Sequence, residues 1–210
     1  MVNERLVPLA TVERVPQYLR AIGGLISHGD EHAPSAVLAE RSGVSSAQFR
    51  KDMSLIGAHG GVRGSGYELV TLRAALGEVL GSRERVKYVI VGVGNLGSAL
   101  ASSSAFRRGG VDVVGLFDTD PARVGAQVAG LTVLHDDQLA DVIREHGVSI
   151  AVLATSESSA QLMADVVVGA GVREILNFVP VVLQVPSSVE VRSVDLGVEL
   201  QMLAFHARNR

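Results

Sequence analysis

At 210 residues, 47% hydrophobic and 20% charged, the chain has the size of one or two domains and the composition of an ordinary soluble globular protein. The absence of cysteine excludes a disulfide framework, a thiolate metal site and a cysteine nucleophile, no apolar run reaches the roughly 18 residues a membrane span needs, and 4% aromatics with no Trp argue against a base-stacking platform for single strands. The net charge of −3 falls mostly on the later part of the chain, and the first twenty residues lack an apolar signal core, so a cytoplasmic location is expected.

The first elements read as helices. Val15, Tyr18, Leu19, Ile22, Leu25 and Ile26 recur at helical spacing. "HAPSAVLAERSG" predicts a second short helix ending at Gly43. Ser45 and Gln48 have capping-box spacing, so a third helix starts at Ser45, with Phe49, Met53 and Ile56 as its buried stripe. Gln48, Lys51 and Ser54 share another face of it. Helix, glycine turn, helix is the helix-turn-helix pattern, though any small bundle with a glycine turn has the same outline. Arg41, Arg50, Lys51 and Arg63 are opposed only by Asp52 over residues 41–63, which fits a phosphate-facing surface or a solvated helix face. "GAHGGVRGSGYELV" then places glycines at 57, 60, 61, 64 and 66 around Arg63. A glycine-rich hairpin with one arginine near its tip looks like the wing of a winged helix, from which an arginine can enter a minor groove. A further helix follows in "LRAALGEVLG", and "GSRERVK" is the expected linker.

From Lys87 the pattern alternates. Strands are predicted in "VKYVIV", "VDVVGLF", "LTVL", "VSIAVLA", "REILNF" and "VEVRSV", with helices over 95–107, about 121–128, 137–146 and 157–170. Apolar strands alternating with helices predict a parallel, doubly wound sheet. Gly92, Gly94 and Gly97 form G-x-G-x-x-G between the first strand and its helix. Such glycines allow the tight turn, the approach of a pyrophosphate and close helix packing, so Gly92, Val93, Gly94, Asn95, Leu96 and Gly97 are the candidate phosphate cradle. Asp118 ends the second strand, where a carboxylate accepts ribose hydroxyls and repels a 2′-phosphate, favouring NADH/NAD+ over the phosphorylated cofactor.

About 16 residues remain after the sixth strand, too few for a substrate domain. None of the six histidines stands at a strand end of the nucleotide cleft with a convincing partner, and no H-x-x-x-H metal spacing occurs. A regulator needs only a DNA reader joined to a nucleotide sensor, and needs no metal. In the tail, Leu196, Leu200 and Leu203 form one apolar stripe and Val198, Met202 and Phe205 a second. That helix packs either on its own domain or, as two-fold DNA half-sites would want, on a second subunit.

The motifs "AQFRKDMS", "RGSGY", "GVGNLG", "GVREILNFVPVVLQVP", "VRSVDL" and "ELQMLAFH" resemble the Rex family of redox-sensing transcriptional repressors, from about Thr11 to Ala207. The resemblance implies a homodimer that binds double-stranded operator DNA when NADH is low and releases it when NADH rises. It implies an α/β fold: a winged helix-turn-helix DNA-binding domain over 1–84, a Rossmann NAD(H)-binding domain over 85–195, and a swapped dimerisation helix over 196–210. Ser45, Gln48, Arg50, Lys51, Ser54 and Arg63 would then meet DNA. Gly92, Gly94, Gly97 and Asp118 would hold adenosine and pyrophosphate, while Thr155 in "ATSES" and Asn177 and Phe178 in "NFVP" would border the nicotinamide. Arg20, Ser103 and Asp195 fall at switch positions. Ser103 stands where relatives usually carry tyrosine, Ser156 where proline is common, and Val179 where alanine is usual. The competing readings are a small NAD-dependent oxidoreductase with a helical dimerisation domain and a nucleotide-binding subunit with only a protein partner.

Overall fold

The computed structural model describes residues 7–58, 61–62, 66–80, 85–107 and 110–209. The chain folds as two compact units, Met1–Glu84 and Arg85–Arg210.

In the first unit, α1 (Leu9–Val12) and α2 (Val15–Ser27) lead through β1 (His32–Ala33) to α3 (Ser35–Arg41) and α4 (Ser46–Ile56). Strands β2 (Gly61–Val62) and β3 (Gly66–Glu68) and helix α5 (Leu69–Val79) complete it. The α3–α4 turn passes through Gly43 at φ +69°. Ser45 is the N-cap of α4, its hydroxyl accepting the Gln48 N–H at 3.1 Å. At the other end Gly57, at φ +83°, closes the helix with the Ala58 N–H bonded to the Met53 carbonyl. β1, β3 and β2 form a small antiparallel sheet in that order, pairing Gly61 with Tyr67 and Val62 with Gly66. The connection of this hairpin, including Arg63, lies outside the described residues. Tyr18, Ile22, Leu38, Phe49, Met53, Leu69 and Leu76 are fully buried together. The Phe49 ring stands edge-on to Tyr18 (5.1 Å, 80°) and to Tyr67 (5.6 Å, 85°), joining α2, α4 and the sheet.

The second unit is a seven-stranded sheet. In chain order its elements are β4 (Val86–Val91), α6 (Asn95–Ser102), β5 (Val111–Asp118), β6 (Gln127–Val128), β7 (Leu131–His135), α7 (Leu139–His146), β8 (Ile150–Leu153), α8 (Glu157–Gly169), β9 (Glu174–Asn177), β10 (Glu190–Ser193) and α9 (Leu196–Arg208). The strand order is β10-β9-β8-β4-β5-β7-β6, and every neighbouring pair is parallel except β6 with β7. Chain order therefore reverses between β4 and β8, the point at which doubly wound sheets bind ligands. Side chains alternate along β4: Val89 and Val91 enter one apolar cluster with α7 and α8, and Tyr88 and Ile90 the other.

Two expectations are corrected. The helix expected over about 121–128 does not form. Asp120 accepts the Ala122 N–H on its side chain at 2.9 Å and the Arg123 and Val124 N–H groups on its carbonyl, which sets a turn instead. The chain then pairs β6 antiparallel with β7 through a tight turn with positive φ at Ala129 and Gly130. The helix expected over 95–107 ends at Ser102 and is followed by a short 3-10 turn, Ser104–Arg107. The terminal helix α9 forms, but none of its residues is buried by its own chain. Leu196, Leu200, Leu203 and Phe205 are all more than 60% exposed.

Candidate nucleotide site and DNA-binding face

The glycine turn is required by space as well as by backbone conformation. Gly92 sits at φ +91°, and a Cβ there would fall 2.5 Å from the Ala154 carbonyl oxygen. A Cβ on Gly97 would lie 1.9 Å from the Gly92 carbonyl oxygen, so only glycine lets α6 come down on β4. Gly94 differs: its nearest neighbour is the flexible Arg123 guanidinium, at 3.6 Å. The second glycine thus keeps open space for an approaching group. No side chain caps α6, whose N-cap is Gly94 itself, so the first N–H groups of the helix suit an anionic acceptor.

Asp118 lies at the end of β5 and is 8% exposed. Its carboxylate accepts the Val93 N–H at 2.7 Å, the Asp120 N–H at 2.9 Å and Arg123 Nη1 at 3.2 Å. Burial raises its pKa, but the two backbone donors and the guanidinium outweigh that and hold the carboxyl below the usual range. It is therefore an anion in a cavity of about 290 Å³. Its lining includes Gly92, Gly94, Asp118, Asp120, Arg123 and Thr155. A second cavity of about 420 Å³ is lined by Val93, Gly94, Asn95 and Ser98, with Ala122, Arg123, Ala126, Val128 and Val133.

The fold therefore brings Gly92, Gly94, Asp118 and Thr155 to one cavity and Val93 and Asn95 to its neighbour, with the half-exposed Leu96 on α6 beside them. Asn177 and Phe178 line neither cavity. Asn177 is fully buried, and its amide donates to the Val179 and Val181 carbonyls and accepts the Val179 N–H, each at 3.0 Å. That side chain shapes the loop after β9. Phe178 is half-buried against the Tyr88–Ile90 cluster. Ser103 is the half-buried C-cap of α6. Arg20 is exposed on α2, and Asp195 caps α9 by accepting the Gly197 and Val198 N–H groups at 2.8 and 3.1 Å.

On α4, Arg50, Lys51 and Ser54 are exposed. Arg50 reaches the Ser35 hydroxyl at 3.4 Å. Gln48 departs from the capping-box expectation: its amide does not return to the Ser45 backbone but donates to Asp52 Oδ1 at 3.0 Å. Asp52 is the larger correction. Counted in the sequence as the single acid of a basic stretch, it is fully buried. Besides Gln48 it accepts Thr11 at 3.0 Å, the Tyr18 hydroxyl at 2.5 Å, and a two-pronged Arg14 guanidinium at 2.7 and 2.8 Å. Burial opposes its ionisation, yet these donors pull its pKa down to about 2. Tyr18, desolvated and bonded to that carboxylate, is pushed up to about 12. Asp52 thus ties α4 to α1 and α2. Its one-face spacing with Gln48 was the available signal in the sequence, but its other partners lie 34–41 residues away.

Residues 83–181 match the family model described as a CoA binding domain, and residues 6–54 match the putative DNA-binding protein N-terminus. The chain is 46% identical over 208 residues to the redox-sensing transcriptional repressor Rex of Streptomyces coelicolor, covering 99% of this chain and 80% of that one. To Rex of Carboxydothermus hydrogenoformans it is 42% identical over 202 residues, covering 96% and 97%. The chain belongs to the Rex family. Among solved structures, the Rex-family repressor RSP with β-NAD+ and operator DNA is similar at a TM-score of 0.85 and 30% identity, covering 98% of this chain and 94% of RSP. RSP with β-NADH is similar at a TM-score of 0.81 and 29% identity, covering 98% and 96%. The Rex likeness thus takes in both units, the α4 face as well as the glycine turn.

Proposed function

We propose that this protein is a redox-sensing transcriptional repressor: a DNA-binding regulator, not an enzyme, that holds operator DNA when NADH is scarce and releases it when NADH binds. One observation carries the reading. A doubly wound unit whose ligand-ready glycine turn is held by an anionic Asp118 is joined to a helix-turn-helix unit, in a chain that matches Rex repressors over 99% of its length. Gly92, Val93, Gly94, Asn95, Leu96, Gly97 and Asp118 fit the phosphates and ribose of NAD(H): a Cβ on Gly92 or Gly97 would collide with a backbone carbonyl and undo the turn, and Gly94 leaves the approach to it open. Thr155 and the loop at Asn177 and Phe178 bound the nicotinamide end. Ser45 and Gln48 orient α4, while Arg50, Lys51 and Ser54 meet the duplex together with Arg63 of the wing. Arg20, Ser103 and Asp195 couple the two events.

The partner is a second copy of the chain, through α9. Two exposed apolar stripes on one helix support this, since water leaves such a surface bare only at a free-energy cost of about 25 cal/mol per Å². A DNA-binding role supports a cytoplasmic location, and no helix among the described residues is long and apolar enough to cross a membrane. The experiment is a gel shift on palindromic duplexes with NADH, NAD+ or neither. Binding relieved by NADH is expected. Duplex binding that ignores NADH at every concentration overturns the redox reading, and no duplex binding at all overturns the repressor reading.

A further inference from the structure

The two cavities at the glycine turn share only two lining residues, Gly94 and Arg123. The Arg123 guanidinium is the wall between them. Its Nη1 lies 3.2 Å from Asp118 Oδ2, its Nε 3.6 Å from Asp120 Oδ2, and both its terminal nitrogens lie within 3.9 Å of the Cβ position of Gly94. The turn that carries it is fixed by Asp120 at one end and by the Gly125 N–H bonded to the Val133 carbonyl at the other. On one side of the wall stands the carboxylate that accepts the ribose. On the other, the second cavity has no acidic residue in its lining, and Ser98 and Asn95 are its polar side chains besides Arg123.

This arrangement contains every part of a 2′-phosphate site with its charge reversed. A guanidinium binds a phosphate through two parallel N–H groups, and an arginine near the ribose is the usual ligand of the phosphorylated cofactor. Here Asp118 and Asp120 engage that guanidinium, and the three groups together carry a net negative charge, which repels a 2′-phosphate. We propose that Arg123 is the specificity-determining residue of the adenosine end. Paired with Asp118 and Asp120, it stands between the two cavities and keeps the site for the unphosphorylated dinucleotide; released from them, it becomes a 2′-phosphate ligand. This rests on the reading of the cavity as an NAD(H) site.

The test is a calorimetric titration of the full-length protein with NADH and with NADPH. Native protein is expected to bind NADH and to bind NADPH at least about tenfold more weakly, the effect of one unfavourable charge contact. Asp118→Asn should weaken NADH and strengthen NADPH by about tenfold or more. Adding Arg123→Ala to it should abolish the NADPH gain. Since Asp118 is buried, the half-exposed Asp120 supplies a second route: Asp120→Asn should give a gain of about threefold for NADPH, lost again in Asp120→Asn/Arg123→Ala. If NADH binds and either double variant keeps its NADPH gain, Arg123 is not the ligand and this proposal falls alone. If the native protein binds neither dinucleotide, the reading of the site falls with it.

Discussion

Two aspartates are the most deeply buried acids described in this protein, and they are built for opposite ends. Asp52, in the helical unit, is 0% exposed and takes all of its donors from side chains: Thr11, Arg14, Tyr18 and Gln48. Asp118, in the sheet unit, takes two of its donors from backbone N–H groups, those of Val93 on the glycine turn and of Asp120, and the third from an arginine that is 45% exposed. The first carboxylate is closed on every side; the second faces a cavity. A buried charge that is saturated by the chain holds elements together, whereas one left with a solvent-facing partner can exchange that partner for a ligand.

Substitution of Asp52 should separate the two most sharply. Asp52→Asn leaves the Arg14 cation without its partner, and about 3 kcal/mol of stability should be lost. Denaturant melts of the protein with and without NADH would show the loss, while NADH affinity should hold. Weakened NADH affinity at unchanged stability would reverse the roles assigned here. The same network predicts both pH limits. Asp52 has a folded pKa of about 2 against an ordinary 3.8, so its contribution is present above pH 3.8 and is lost as pH falls toward 2. Tyr18 is raised from 10.0 to about 12, so its contribution is complete below pH 10 and disappears as pH rises through 12. Tyr18→Phe should therefore flatten the alkaline limit, which a melt series from about pH 9 to about pH 12 would reveal.

Asp118→Asn should show the opposite profile: a stability loss of about 1–2 kcal/mol, smaller than at Asp52, because the amide oxygen of the new side chain still accepts one of the two backbone N–H groups, and NADH binding weakened by about 1.5 kcal/mol through the lost charge-assisted bonds. Calorimetry beside a thermal melt measures both. On the DNA side, Lys51→Ala should weaken operator binding by about 1 kcal/mol if the contact is to phosphate, with the salt slope falling by about one, and by up to about 3 kcal/mol with relaxed sequence preference if it is to a base. NADH affinity should not move. The smallest effect is expected at Ser103. A phenol reaches further than a serine hydroxyl, so Ser103→Tyr should widen the preference for NADH over NAD+ in DNA release by about threefold, or under about 1 kcal/mol. An unchanged ratio would remove Ser103 from the switch.

What the sequence determined by itself is local. The spacing of Gly92, Gly94 and Gly97 after an apolar strand, the cap at Ser45, the turn at Gly43 and the paired stripes of α9 all depend on residues within two or three turns of one another, and the periodicities that encode them are short. The doubly wound order follows from the alternation of strands and helices combined with the handedness of crossovers. Tertiary structure decided the rest. It turned Asp52 from a surface charge into a buried hub, because Thr11, Arg14 and Tyr18 reach it from the α1–α2 segment, more than thirty residues away. It replaced the helix expected over 121–128 with a turn, since Asp120 and Gly125 found partners that outweighed helical propensity, and so set Arg123 over Gly94. It engaged Asn177 with its own loop. Only α9 is decided outside the chain altogether: its stripes are written in the sequence, but no described surface of the same chain buries them, and an apolar helix face is completed by whatever removes it from water.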